Sequence, residues 1–202
     1  MNKNTVLIAG DSYAADWSSK DNSFSSWWQL LAADYDVTNI AEAGVSEYKI
    51  YQQIKSADVN QFEYVIVSHT SPYRVHTNKH PFHRQNSIHR NADLIFSDVE
   101  DWFFTSNCES TTSAYLYFLH HFDFEYYDFL YTLMRKEIDY LLQSIKYVSV
   151  DFFSCNNYDS SFNFAHIADK YPGTVNHLDC QGNEIIYEEV SKTIMAIGKE
   201  NE

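Results

Sequence analysis

Short runs of consecutive apolar residues recur along the chain, separated by longer segments whose apolar residues have helical spacing. Strands are predicted at 5–9, 37–41, 64–68 and 147–152, and the first and third of them contain the continuous apolar runs 6–9 and 64–67. Continuous apolar runs of this length are typical of parallel strands that are covered on both faces. Strands that alternate with helices predict a doubly wound parallel sheet between two helical layers, which is a three-layer α/β/α fold.

Helical segments are predicted between and after these strands. The first has four residues on its predicted buried side, namely Trp27, Trp28, Leu30 and Leu31. A second helix is predicted over 46–55 with Ser46 as its N-cap, because serine accepts hydrogen bonds from the first N–H groups of a helix. Residues 112–145 predict one or two long helices rich in aromatic residues, and residues 183–199 predict the closing helix.

The apolar pattern weakens over 72–112, where one helix is predicted near 98–104. A chain of 202 residues is most simply one domain, and neither an internal repeat nor a linker divides the sequence. Long irregular segments inside compact domains are often functional lids. We therefore predict a single domain over 1–202 that carries an irregular insertion or lid at about 72–112.

The amino-acid composition bears on which binding partners and which cellular compartment we expect. The formal net charge of −14 repels phosphate backbones, so nucleic acid is not an expected partner. The three cysteines lack C-x-x-C spacing, which favours reduced thiols in a cytoplasm over a disulfide framework. The first apolar run is too short for the core of a signal peptide, and no run reaches the roughly 20 residues that span a membrane. We expect a cytoplasmic protein without a membrane partner.

The first apolar run leads directly into Gly10, Asp11 and Ser12. This order predicts a strand that ends in a tight turn and presents the Ser12 hydroxyl at the carboxyl edge of the sheet, where open α/β sheets bind ligands. A serine hydroxyl becomes a nucleophile when a nearby base takes its proton, and histidine is the usual base. Asp11 is expected to shape the turn by accepting hydrogen bonds from nearby backbone N–H groups.

Other positions could serve as partners for Ser12. His177 lies just before the closing helix, where a loop can return it to the same edge, so it is the candidate base. Gly44 follows the second predicted strand, and a glycine lets its backbone N–H approach a substrate closely. Thr70, after the third strand, is a candidate donor to the negative charge that develops on an attacked carbonyl.

These motifs resemble the sequence blocks of the SGNH hydrolase superfamily, the GDSL-type esterases and lipases, in the same order and over nearly the whole chain. Residues 10–12 are similar to the block that carries the nucleophile. Residues 39–46 look like the block whose glycine enters the oxyanion hole, and residues 176–178 look like the block of the catalytic histidine. The resemblance implies a flavodoxin-like sheet and a serine esterase that needs no cofactor.

The resemblance also assigns roles, with Ser12 as nucleophile, His177 as base, and an oxyanion hole made by Ser12, Gly44 and Thr70. Two positions depart from the family pattern, because Thr70 stands where asparagine is usual and Thr174 where aspartate is usual. The implied catalytic group is therefore a Ser-His dyad or an atypical triad. Asp179 is better explained as the N-cap of the closing helix than as a triad member.

Polar residues of the weak segment raise two other possibilities. Three of its histidines have helical spacing, namely His76, His80 and His83, but Pro81 interrupts this register and no local carboxylate or cysteine joins them, so we predict no metal site. His69 and Arg74 are candidate substrate contacts beside the third strand, and Arg74 could bind a carboxylate such as that of an acidic sugar. Their alternative role is to hold the loop through side-chain hydrogen bonds.

The segment 115–122 is apolar on all sides, which predicts burial on more than one face. It could cover the core, close over the site as a lid, or form a contact between copies. We favour the core together with an interface, which predicts a homo-oligomer through the aromatic helices.

Two functions from different classes fit the sequence. The first is hydrolysis of an acyl ester, acetyl or similar, on a small molecule or a glycan. The second is a catalytically weakened member that binds carbohydrate or has a structural role, motivated by Thr70 and Thr174. A phage-associated chain would suit either function and would be packed into a virion.

Overall fold

The computed structural model describes residues 3–18, 24–81, 83, 88–106, 108–154, 158–173 and 178–199. In this part of the chain, one sheet of five parallel strands has the order β2-β1-β3-β4-β5. The strands are β1 Thr5–Gly10, β2 Asp36–Asn39, β3 Tyr64–His69, β4 Lys146–Asp151 and β5 Phe162–Asn163. This is the flavodoxin-like strand order of doubly wound sheets.

Helices connect the first four strands in order, two more helices follow β5, and together they cover the sheet. They are α1 Trp27–Leu31, α2 Glu47–Ser56, α3 Phe96–Thr105, α4 Glu109–His120, α5 Phe124–Leu142, α6 Ala165–Lys170 and α7 Cys180–Lys199. A short 3-10 helix, Val59–Gln61, precedes β3. No helix among the described residues is long and apolar enough to cross a membrane.

Two hydrophobic cores lie on opposite faces of the sheet, because successive strand side chains point to opposite faces. Leu7 and Val65 belong to the core that α2 and α5 complete. Ile8 and Ile66, the next residues along, belong to the core that α1, α6 and α7 complete. The predicted three-layer α/β/α fold with a doubly wound parallel sheet is therefore confirmed.

All four predicted strands are present, with ends within two residues of the prediction. The helix after Ser46 is also present, and the long aromatic segment forms two helices, α4 and α5. The prediction missed β5 and α6, which have two and six residues, because such short elements leave no measurable periodicity. In α1 the structure buries Trp27 and Leu31 but leaves Trp28 and Leu30 half-buried.

The sequence predicts that residues 115–122 are buried on more than one face as part of the core, and the structure of helix α4 corrects this prediction. Only Thr111 and Ala114 of this helix are buried, and Leu119 is 55% exposed. The helix packs on α3, with the Phe103 and Tyr115 rings stacked at 4.2 Å, and so lies outside the two cores. The homo-oligomer expected from these helices stays a prediction.

The carboxyl ends of β1 and β3 lie side by side at the point where the chain reverses its direction of winding. Gly10 ends β1 with φ +151°, and a Cβ on this residue would lie 2.5 Å from the carbonyl oxygen of Ser68. Only glycine fits this approach of two strands. Such a switch point is where doubly wound sheets place their ligands.

Candidate active site

Ser12 lies in a tight turn at the end of β1. The N–H groups of Ala14 and Ala15 donate to the carbonyl oxygen of Asp11, at 3.1 and 3.0 Å. The indole N–H of Trp17 donates to the carbonyl oxygen of Ser12 at 2.8 Å. The turn therefore holds Ser12 in one position, where the residue is 4% exposed and lines a cavity.

The cavity has a volume of about 400 Å³, which is within the range of small-molecule sites. Its wall comprises Ser12, Gly44, Ser71, Tyr73, Arg74, His83, His89, Ala92, Asp93, Ile95, Phe96, Ser97, Asp98 and Phe153. Three of the candidate site residues, Ser12, Gly44 and Arg74, therefore meet in one place. The structure does not bring His69 or Thr70 to this wall.

Gly44 takes a left-handed conformation with φ +78°, which favours glycine. A Cβ on this residue would lie 2.8 Å from the Cβ of Ala92, so the segment around Ala92 packs closely on the turn after β2. The N–H of Asp93 donates to the carbonyl oxygen of Gly44 at 2.9 Å. Residues from the predicted insertion therefore form part of the cavity wall at Gly44.

The Asp93 carboxylate fixes this arrangement. It is buried and accepts hydrogen bonds from the N–H groups of Ser46 and Thr77, at 2.7 and 2.8 Å. The ammonium group of Lys49 lies 2.8 Å from the same carboxylate. One buried charge thus joins α2, the loop after β3 and the segment that covers Gly44.

A buried ion pair joins Asp11, the residue before Ser12, to Arg74. The Arg74 guanidinium donates to the Asp11 carboxylate at 3.3 Å and to the carbonyl oxygen of Val45 at 2.9 Å. Burial raises the pKa of the Asp11 carboxyl to about 6, against the opposing effects of Arg74 and of hydrogen bonds that include one from the Tyr13 N–H. The Tyr13 N–H donates to the Asp11 carboxylate at 3.1 Å. This hydrogen bond confirms the expectation that Asp11 shapes the turn.

Replacing Asp11 by asparagine is expected to change how stability depends on pH. The folded wild type binds the Asp11 proton more tightly than the unfolded chain, whose pKa is near 3.8. The wild type should therefore lose about 2 kcal/mol of unfolding free energy relative to Asp11→Asn as the pH rises from 4 to 6. Urea unfolding of both proteins between pH 3.5 and 8 measures this difference, with Asp36→Asn at an exposed position as control. Parallel curves for wild type and Asp11→Asn would contradict the prediction.

His69 and Thr70 form hydrogen bonds with Glu47 and do not line the Ser12 cavity. Nδ1 of His69 lies 2.6 Å from a carboxylate oxygen of Glu47, and both residues are buried. The other Glu47 oxygen accepts the backbone N–H of Thr70 at 3.3 Å. The Thr70 side chain is among the hydrogen-bond donors that hold the pKa of Asp11 down. These contacts agree with the alternative role of His69, which is to hold the loop through side-chain hydrogen bonds.

Arg74 also lines a second cavity, which has a volume of about 240 Å³. Its wall includes Glu47, Pro72, Tyr131 and Met134, so it is bounded by α2 and α5. Arg74 is therefore part of the wall of both the Ser12 cavity and this smaller, mostly apolar cavity.

His177 and Thr174 lie outside the described residues. Asp179 is described, and its carboxylate accepts the Gly182 N–H at 2.8 Å in the first turn of α7. This contact confirms the predicted N-cap.

The sequence prediction missed several residues that share the cavity with Ser12, above all His83, His89 and Asp98. Burial lowers the pKa of His83 and raises that of Asp98. The spacing of residues in the segment 72–112 does not predict that these side chains come together, because the segment has little regular structure before α3. Among the described residues, no group of three or more His, Cys, Asp or Glu side chains is arranged to hold a metal ion.

Comparison with family models gives no match for this chain, and comparison with curated proteins gives none either. Among solved structures, the chain is similar to one from Desulfitobacterium hafniense DCB-2 that is assigned as a lipolytic protein of the G-D-S-L family. The two chains are 12% identical, and the similarity covers 94% of this chain and 99% of the other at a TM-score of 0.38. A similarity with this TM-score supports no argument about function. The function is therefore argued from the residues of the site.

Proposed function

We propose that this protein is a serine hydrolase that cleaves an acyl ester, with Ser12 as the nucleophile. The observation that carries the proposal is that Ser12 and Gly44 line one cavity at the switch point of the sheet. A nucleophile on a tight turn and a glycine N–H beside it are the two parts that acyl transfer needs first. Both are positioned by strand ends and not by flexible side chains.

In the proposed cycle, His177 takes the hydroxyl proton of Ser12 as its Oγ attacks the ester carbonyl. The N–H groups of Ser12 and Gly44 donate to the oxyanion. Collapse of the tetrahedral intermediate breaks the bond to the alcohol, which leaves with the proton from His177. Water, deprotonated by His177, then attacks the acyl-enzyme and releases the acid.

Contacts at the start of α7 support a base from that part of the chain. The Asn183 side chain accepts the backbone N–H of Trp27 at 2.8 Å. The Trp27 indole in turn donates to the carbonyl oxygen of Tyr13 at 2.8 Å, next to Ser12. The first turn of α7 is thus joined to the nucleophile turn through the side chains of Asn183 and Trp27.

We further propose that the ester is an acetyl ester on a carbohydrate, and the aromatic side chains of the cavity wall support a carbohydrate. Tyr73, Phe96 and Phe153 give it aromatic surface, and Ser71 and Arg74 give it polar groups. Apolar walls with a few polar groups are usual in small-molecule sites, and aromatic faces suit the apolar faces of sugar rings.

The decisive experiment uses a fluorophosphonate probe and p-nitrophenyl acetate on the wild type, Ser12→Ala and Ser113→Ala. The wild type is expected to be labelled and to hydrolyse the ester, and Ser12→Ala to do neither. Ser113 is an exposed serine on α4, so Ser113→Ala should behave as the wild type. Full hydrolysis by Ser12→Ala, or no reaction by the wild type with either reagent, would rule out the proposal.

One observation favours the second candidate function, a carbohydrate-binding module of weakened activity. Thr70 is fully buried, donates its N–H to Glu47, and is absent from the described cavity wall. An oxyanion hole without a third donor would be inefficient. Measurable glycan binding by a wild type that the probe does not label would support this function.

A further inference from the structure

The oxyanion hole lacks an evident third donor at Thr70, but the cavity holds another side chain that can donate. His89 lines the cavity together with Ser12 and Gly44. Its Nδ1 atom lies 3.7 Å from the position that a Cβ on Gly44 would occupy. An imidazole therefore stands beside the backbone segment that would stabilise the oxyanion.

The contacts around His89 hold its ring in place. The Trp17 ring meets it edge to face at 5.5 Å, and the same Trp17 indole donates to the carbonyl oxygen of Ser12. The His83 ring stacks on it at 4.7 Å between ring centroids. The His89 ring therefore contacts Trp17, which hydrogen-bonds to the nucleophile turn, and His83 of its own segment.

Its backbone is anchored as well. The N–H of Ala92 donates to the carbonyl oxygen of His89 at 2.9 Å, which closes the turn that packs on Gly44. The next residue, Asp93, is fixed by its hydrogen bonds to Ser46 and Thr77. A donor that is already held in position stabilises developing charge without the cost of reorganisation.

We propose that His89 is a catalytic residue that completes the oxyanion hole with a ring N–H, in the place that the sequence assigned to Thr70. This inference rests on the proposed function. As the bond between Ser12 Oγ and the carbonyl carbon forms, the carbonyl oxygen gains negative charge and accepts the His89 hydrogen bond. His89 keeps its proton, while the Ser12 proton goes to the base and then to the leaving alcohol.

Two substitutions separate donation from ring packing. His89→Phe keeps an aromatic ring against Trp17 and His83 but has no N–H, whereas His89→Gln keeps an N–H donor without the ring. We expect His89→Phe to lower kcat for p-nitrophenyl acetate by about 10²- to 10³-fold with KM nearly unchanged. His89→Gln should keep most of the activity that His89→Phe loses. The control is His166→Phe on the exposed side of α6, which should match the wild type.

The outcomes also separate this inference from the proposed function. If Ser12→Ala is inactive but His89→Phe keeps the wild-type kcat, the donor role is wrong and the function stands. If His89→Gln is as impaired as His89→Phe and both abolish the pH dependence of kcat/KM, His89 is a base and not an oxyanion donor. If the wild type reacts with neither ester nor probe, both proposals fail. Thermal unfolding midpoints near that of the wild type would show that the variants are folded.

Discussion

Replacing Arg135 by methionine is expected to lower the free energy of unfolding by about 3 to 5 kcal/mol. Arg135 is 1% exposed, and its guanidinium lies 3.2 Å from the buried Asp151 carboxylate. The same group donates to the Ser149 hydroxyl at 3.1 Å and to the Tyr131 hydroxyl at 2.7 Å. Methionine would leave the Asp151 charge without its counterion at the end of β4.

Urea unfolding with a double-mutant cycle tests this expectation. Arg135→Met/Asp151→Leu removes both charges and should recover much of the stability that Arg135→Met loses, because apolar residues of similar size replace a buried pair well. The surface control is Lys192→Met, whose ammonium group makes an exposed 2.7 Å contact with Glu189 and should give no measurable change. A loss below about 1 kcal/mol for Arg135→Met would mean that the charge is compensated from elsewhere.

Replacing Trp27 by alanine is expected to cost about 3 to 5 kcal/mol, the usual effect of removing a buried tryptophan. Trp27 is the first residue of α1 and is fully buried in the core between the sheet and the helices α1, α6 and α7. Its indole also fixes the carbonyl oxygen of Tyr13 in the nucleophile turn. We therefore expect ester hydrolysis by the folded variant to fall as well, because the Ser12 turn loses one of its fixed contacts.

Trp28→Ala is the matched control, since Trp28 is the same residue type in the next position but is only half-buried. Its loss of stability should be smaller, and hydrolysis by this variant should be unchanged. Denaturant unfolding and kcat/KM for p-nitrophenyl acetate measure the two effects. Equal losses for the two tryptophan variants would show that the link between Trp27 and Tyr13 has no special role.

The strands could be read from the sequence because a buried parallel strand must be apolar on both faces, as the segments at β1 and β3 are. The position of Ser12 followed from the same local rule, since the turn begins where β1 ends. The N-cap at Asp179 was also a local feature and was confirmed. The two-residue β5 was missed because its pairing with β4 alone defines it as a strand.

The walls of the site could not be read in this way. Arg74 meets Asp11, Glu47 meets His69, and His89 approaches Gly44 across long separations in sequence. These contacts depend on the order of strands in the sheet and on where the segment 72–95 folds back. No periodicity in the segment 72–95 specifies that return, which is pinned by the backbone pairing of Val75 with Leu94.

The sequence by itself determined the α/β architecture and the serine at the carboxyl edge of the first strand, because both follow from local patterns of apolar residues and turns. The tertiary structure decided which polar groups surround that serine. It buried His69 and Thr70 against Glu47 and brought His89 to the cavity wall, since packing and charge compensation between distant segments select the partners of each buried polar group.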